Sequence, residues 1–380
     1  MARAPIDDTL PEPDRLEGAP HPRETPHLFG HSQAQTDFLD AFNSHRLHHA
    51  WLLCGPRGIG KATLAWKLAR FLLATPEDDG GFFAPEKPTT LDIPEDHPTA
   101  HHLRALADPR FRLIRRTAND KGDRLRSVIS VEDIRRLKEE LSLSAPDGGR
   151  RAVIIDSADE MNPQAANALL KLLEEPPAKV TMLLIAHQPA KLLPTIRSRC
   201  RTLALWPLSP PDLSDALTQA GAELDPADAQ ALAELAGGSV GAAFRLIGQD
   251  ALPKYRALVT TLASHPRISR PRLIAFADSA GAREGPEAFE TAVTLIDLFL
   301  SRAARTGSLG APPPEAARGE SALLTRLSPD AYAARQWAAL AQTLGLRARQ
   351  GKAVNLDPAG LILDMLLKLD ETASSLLQRV

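Results

Sequence analysis

Cysteine is nearly absent from this chain. Cys54 and Cys200 are the only two, far apart and each inside an apolar segment, so no disulfide framework is expected and a reducing compartment fits. Net charge is also missing: 45 Lys and Arg stand against 47 Asp and Glu, with pI ≈ 6.6. No chain-wide basic field therefore draws in nucleic acid, and direct contact with it needs a local patch. No apolar run reaches the roughly 18 residues that a membrane helix requires. The N-terminal stretch lacks the apolar centre of a secretory signal. A soluble, cytoplasmic protein is the expectation.

What is present is ordinary globular composition, 43% hydrophobic and 24% charged over 380 residues, enough for two or three domains. Residues 1–24 are rich in Pro, Asp, Glu and Arg and read as a disordered tail. From 25 to about 208, short apolar runs alternate with amphipathic stretches. Trp51–Cys54, Phe111–Ile114, Ala152–Asp156, Val180–Ala186 and Thr202–Trp206 are continuous apolar runs rather than alternating ones. That pattern suits five strands of a parallel sheet buried on both faces. Helices are expected at Thr63–Leu73, Val131–Leu143 and Pro163–Leu173; Asn162 is placed to cap the last of these and Pro176-Pro177 to stop it. A proline-rich, then basic, segment at about 75–126 reads as an insertion around one strand. Three short helices follow in 209–250 as a small lid, and 254–380 is helical throughout.

The strongest motif is Gly55-Pro56-Arg57-Gly58-Ile59-Gly60-Lys61-Ala62-Thr63, set between a strand and a helix as a phosphate-binding loop requires. Its glycines let N–H groups converge on a phosphate, the helix start adds a favourable dipole, and Lys61 adds a point charge. Ala62 stands where a Ser or Thr hydroxyl holds Mg²⁺, and Thr63 points about 100° further round the helix. Two readings stay open from these residues: a nucleotide-binding loop, or a loop kept for its shape. Arg151–Asp156 has the form of a strand ending in a metal-facing carboxylate, yet Ser157 follows where a water-orienting acid belongs. Asp159 and Glu160 read as a polar turn.

Three segments carry a family resemblance: Asp156 to Pro177, Leu193-Pro194-Thr195-Ile196-Arg197-Ser198-Arg199-Cys200, and His49–Leu53 running into Gly55-Pro56. Together they resemble the clamp-loader subunits of bacterial DNA polymerase III, of the AAA+ class, firmly from about Phe29 to Ser209. The resemblance implies a P-loop AAA+ α/β domain with a five-stranded parallel sheet, a helical lid and an all-α C-terminal collar. The Asp156–Asp159 sequence is similar to the delta-prime branch rather than the gamma/tau motor branch. Ser157, His187 at the sensor-1 position and Gly241 at the sensor-2 position depart from the motor pattern, as does Ala62.

The resemblance further implies a stator in a five-subunit ring with gamma/tau and delta. That ring loads the sliding clamp onto primed DNA as part of the polymerase holoenzyme. Arg199 would reach in trans toward a neighbour's ATP; by alternation alone, Arg197, Arg199 and Arg201 would share one extended face. ATP binding by this chain is compatible with the loop, and efficient hydrolysis is not expected. The alternatives are an ATP-hydrolysing motor that uses Thr63 and Asp159–Glu160 as substitutes, or a stand-alone DNA-associated ATPase.

Other candidates are weaker. His97, His101 and His102 lie where the family often carries a four-cysteine zinc module, but no cysteine is there and zinc is not expected. The basic residues Arg104, Arg110, Arg112, Arg115, Arg116, Lys121, Arg124 and Arg126 are interrupted by acids and lack a stacking set. His48 and His49 read as structural, Cys200 as packing, and Leu361, Leu363, Met365, Leu366 and Leu369 as a helical core stripe.

Overall fold

The computed structural model describes residues 12–76, 86–119, 121, 123–143, 148–266, 268–280 and 286–378. They form two compact units, one running to Ala222 with Gly238–Gly241, the other comprising Glu223–Gly237 and Ala242–Val380.

The first unit holds α1 (Ser32–Asn43), β1 (Ala50–Cys54), α2 (Lys61–Ala74), α3 (Pro98–Arg104), β2 (Phe111–Ile114) and α4 (Val131–Ser142). It continues with β3 (Arg151–Ile155), α5 (Pro163–Glu174), β4 (Val180–Ala186), α6 (Pro194–Arg197), β5 (Arg201–Ala204) and α7 (Pro210–Gln219). All five strands pair in parallel in the order β2-β3-β4-β1-β5. Helices cover both faces, as parallel sheets require. Along β1 the side chains alternate: Trp51 and Leu53 pack with Phe38, Leu64, Trp66 and Phe71. Ala50 and Leu52 pack on the other face with Leu137, Leu169 and Ile196. The expected P-loop α/β sheet is what forms, and central β4 is buried at all seven positions.

Local chemistry sets the helix starts. Asn162 Oδ1 accepts from Ala165 N at 2.7 Å and Pro163 fills the first turn of α5. Ser130 and Asp133 close a capping box on α4.

Two expectations fail here. Thr202–Trp206 does not form a doubly buried strand: β5 is Arg201–Ala204, with one buried residue of four, and Trp206 is 74% exposed. Phe111–Ile114, β2 at the opposite edge, likewise has one buried residue of four; apolar continuity cannot report that a strand lies at the sheet's edge. Of the expected tail, 1–11 lie outside the described residues, but 12–24 are packed. His21 is fully buried, edge-on to Trp66 at 6.0 Å. Its Nε2 lies 3.2 Å from Asp14, Arg115 pairs with both Asp14 and Glu12, and Arg23 holds Glu12 at 2.7 Å. The charges that read as solvating are spent on one another. Of the insertion, 77–85 (with Asp78–Gly81), 120 and 122 lie outside the described residues. The rest contains α3, β2 and an antiparallel bridge between Ala118 and Leu125.

Next in the chain come α8 (Pro226–Ala236) and α9 (Val240–Gly248), the latter beginning in the Gly238–Gly241 segment of the first unit. Then follow α10 (Ala251–Ala263), α11 (Arg270–Asp278), α12 (Pro286–Leu309), α13 (Glu320–Leu327), α14 (Ala331–Ala353) and α15 (Pro358–Leu377). The second unit is thus all-α among the described residues. Leu361, Met365, Leu366 and Leu369 are buried on α15, and Leu363 is partly so. At the centre of this unit Glu320, fully buried, accepts from Arg302 Nε at 2.6 Å and from the Tyr255 hydroxyl at 2.5 Å. Its other oxygen takes Arg302 Nη2 at 3.1 Å and Ala316 N at 2.7 Å. Burial, and then the Glu320 carboxylate, push the Tyr255 hydroxyl far above its ordinary pKa, so it stays a donor. No helix among the described residues is long and apolar enough to cross a membrane.

Removing one partner of a buried ion pair strands the other, at about 3–5 kcal/mol. Glu320→Ala should therefore lower the denaturant midpoint strongly. Glu371→Ala, at an exposed position, should stay within about 0.5 kcal/mol of wild type.

Candidate functional site

The phosphate loop is built by φ values that only glycine tolerates easily. Gly55 (φ +149°), Gly58 (+79°) and Gly60 (+103°) turn the chain from β1 into α2. A Cβ on Gly55 would lie 2.4 Å from Leu205 O, and one on Gly58 would lie 2.8 Å from Gly241 Cα. Every carbonyl from 55 to 59 has a donor. Lys61 Nζ donates to Gly55 O at 2.7 Å and to Pro56 O at 2.5 Å. Ser239 Oγ donates to Arg57 O at 2.9 Å, Gly241 N to Gly58 O at 3.0 Å, and His31 Nε2 to Ile59 O at 2.7 Å. A carbonyl only accepts, so this bond assigns the His31 proton to Nε2.

The N–H groups of Gly58, Gly60, Lys61 and Ala62 have no protein acceptor among the described residues, and Gly60 brings no capping side chain. Lys61 is 3% exposed. Among the described residues no carboxylate comes within ion-pair distance of it. Burial pulls its ammonium down to about 8, with Asp156 and Asp159 opposing from further off.

The acidic side is tied up internally. Asp156, just beyond β3, is buried, and burial, reinforced by Asp14, pushes its carboxyl up to about 7 against the hydrogen bond from Ser157. Ser157 Oγ lies 3.0 Å from Asp156 Oδ1 and 2.9 Å from His187 Nε2. Burial, then Lys61, drop His187 to about 4, so the ring is neutral at physiological pH. Asp159 accepts from His187 N at 3.1 Å and Gln188 N at 2.9 Å, and Glu160 pairs with Arg116 at 2.9 Å. Neither is available as a substitute catalytic acid. Mg²⁺ demands close to octahedral oxygen ligation, typically from a hydroxyl and carboxylates. Position 62 offers a methyl group, and Asp156 is a hydrogen-bonded carboxyl that burial favours in its neutral form. These residues do not fit the metal. Thr63 is half-buried one position along α2.

The arginines part company. Arg197 ends α6, and backbone bonds from Ser198, Arg199 and Cys200 continue its turn. The chain is therefore not extended there, and the shared face expected for Arg197, Arg199 and Arg201 does not exist. Arg201 lies over the Trp51 ring at 5.0 Å. Arg199, with 37% of its side chain exposed, is held by Glu174 at 2.8 Å and Thr195 O at 3.1 Å. Burial, and then neighbouring Cys54, push the Cys200 thiol up to about 12; both cysteines pack against the α4–α5 core.

Of the remaining candidates, several bond backbone groups or neighbouring acids. His97 caps α3 through Nδ1, while His101 and His102 sit on the same short helix. His48 and His49 stack at 4.3 Å and bond backbone groups of Ala50 and Leu173. Arg104, Arg110, Arg112, Arg115 and Arg116 each pair with an acid of the same unit. Sequence reasoning missed His31, Ser239 and Asp14. The partners of His31 and Ser239 are 28 and 182 positions away, and Asp14 meets Arg115 across 101 positions, so no local pattern announces them.

Residues 30–209 match the family described as DNA polymerase III, delta subunit. Over that stretch the chain is also similar to DNA polymerase III delta-prime subunits. The delta-prime subunit of Pseudomonas aeruginosa is 37% identical over 204 residues, 53% of this chain and 56% of that one. That of Escherichia coli K12 is 32% identical over 218 residues, 55% and 58%. A gamma/tau subunit of Mycobacterium tuberculosis is 29% identical over 168 residues, 42% of this chain and 24% of that one. The match to this chain spans a little over half the length of the two delta-prime relatives.

The loop's support can be tested by bulk alone. A methyl at Gly241 would sit 2.9 Å from Gly58 Cα, whereas one at Gly248 meets nothing within 4 Å. Gly241→Ala should cost about 1–3 kcal/mol in urea unfolding, and Gly248→Ala should be neutral or slightly stabilising. At pH 8 Cys200 should react with iodoacetamide about three orders of magnitude more slowly than an ordinary thiol, because only the thiolate attacks. Mass mapping of the labelled protein checks it.

Proposed function

We propose that this chain is a delta-prime-like clamp-loader subunit of the DNA polymerase III holoenzyme. It acts as a non-hydrolytic stator that lends Arg199 to a neighbour's ATP. The observation that carries the reading is an asymmetry. The chain's own phosphate loop is well formed, but each group that would drive hydrolysis there is missing or bonded to another protein group. An arginine in the Ser-Arg-Cys turn is meanwhile held by a surface pair with Glu174 and one bond to Thr195 O.

The energetics favour release of that arginine. An exposed Arg–Glu pair is worth about 0–1 kcal/mol. A charge-assisted, two-pronged bond to a phosphoryl group is considerably stronger, and a guanidinium stabilising charge on the transferring phosphoryl is worth about 10³–10⁵ in turnover at the site it serves. Arg199 can therefore leave Glu174 and Thr195 O at little cost when a neighbour presents ATP. The partners in this proposal are gamma/tau and delta subunits in a ring, with the sliding clamp and primed DNA engaged by the complex. The helices from 254 to 380 would serve as the collar through which the ring assembles, and 209–250 as the lid.

A loader reconstituted with Arg199→Ala should assemble normally by gel filtration yet lose most of its DNA-stimulated ATPase and clamp loading. Arg199→Lys should rescue little, since a lysine lacks the planar fork. Undiminished loading by Arg199→Ala would refute the role.

A further inference from the structure

We infer that the open edge of β2 is a docking site for an extended peptide strand with apolar side chains at every second position and a carboxylate between them. This goes beyond the clamp-loader reading and does not depend on it. The backbone supplies the first observation. Arg110 O and Ile114 O are taken by Ala152 N and Asp156 N, in and just after β3, so the even-numbered residues of β2 face the sheet and the odd-numbered ones face away. Phe111 has both outward groups covered: its N–H goes to Asp108 O at 3.2 Å and its carbonyl accepts from Arg112 Nη1 at 2.7 Å. Leu113 has no hydrogen-bond partner for either group among the described residues. An N–H and a C=O offered side by side by one residue are what an antiparallel strand pairs with. Edge strands are ordinarily blunted by charge, proline or a bulge, and on β2 the blunting stops at Phe111.

Beside this edge runs a groove of about 780 Å³. Leu106, Leu113, Ile114 and Leu125 line it and are only partly buried. Leu106 is held there under strain. It follows α3 at φ +53°, as the left-handed residue of a Schellman turn in which Ala107 N bonds His102 O at 2.8 Å and Leu106 N bonds Leu103 O at 3.0 Å. Glycine adopts that conformation freely and leucine does not, and strain of this kind collects at ligand-binding sites. Charge then sets the partner. Of the lining arginines, Arg112, Arg115 and Arg116 are matched by Glu140, Asp14 and Glu160. The lining acids Glu12, Asp108 and Asp133 are held by Arg23, Arg110 and Ser130. Arg136, exposed on α4 at the same groove, has no acid within ion-pair distance among the described residues. Leu106 and Leu113 pack on the α2 face of the sheet, and α4 covers the opposite face. An incoming strand therefore meets the leucines with one set of alternate side chains and Arg136 with the other. Main-chain bonds combined with pockets for alternate side chains are the mode of strand addition.

Hydrogen exchange of the isolated full chain, resolved to single amides, tests this. The probe is a short peptide alternating valine and aspartate, and its control alternates valine and lysine. In the free chain the Leu113 amide should exchange like an unbonded one. The aspartate peptide at millimolar concentration should slow it about tenfold or more, and the lysine peptide less than about twofold. Arg136→Glu, a change at an exposed position, should make the lysine peptide the protecting one. Protection of Leu113 in the free chain at low micromolar concentration would mean that the chain covers its own edge. Protection that grows with protein concentration would mean that a second copy covers it. Either result would overturn the inference, as would no response to the aspartate peptide or an equal response to both peptides.

Discussion

A buried ammonium without a carboxylate at ion-pair distance among the described residues governs the glycine-rich loop between β1 and α2. Lys61 is inside the protein, its charge stabilised by the carbonyls of Gly55 and Pro56 at 2.7 and 2.5 Å and, at longer range, by Asp156 and Asp159. That arrangement keeps the loop closed and its N–H groups aimed away from the protein's own acceptors. It also explains why the neighbouring groups need not be catalytic. Ser157 and His187 satisfy each other and Asp159 holds the backbone at 187–188, so the polar groups around the lysine are spent on architecture.

The same economy appears at Arg199. Its contacts are local and partly exposed, in contrast to Arg302, whose guanidinium is locked inside the helical unit by Glu320. One arginine is built to stay and the other is free to leave. Burial, more than sequence position, separates the structural cation from the exchangeable one.

The sheet was readable because its interior strands β1, β3 and β4 are almost wholly apolar, as doubly covered parallel strands are. Asn162-Pro163 announced its helix through capping chemistry. Trp206 misled, since an edge position is a property of the whole sheet and leaves no mark on five consecutive residues. Residues 12–24 misled for a related reason: Glu12, Asp14, His21 and Arg23 look hydrophilic singly, and only folding reveals that they and Arg115 neutralise one another. At the site, the glycines, Lys61 and the lost hydroxyl at 62 were legible. The clasp by His31, Ser239 and Gly241 was not, because what they bond are backbone carbonyls of the loop, which any sequence possesses. The supposed common face of Arg197, Arg199 and Arg201 failed because Pro194 starts a helical turn, which breaks the period of two.

The division of labour outlined here makes one demand on the protein alone. Steady-state phosphate release by the purified chain, with saturating Mg-ATP and primed DNA, should be indistinguishable from buffer. Sustained turnover that disappears in Lys61→Met would contradict it, because the chain would then be running the chemistry that its Ala62, Ser157 and Gly241 are held to have given up.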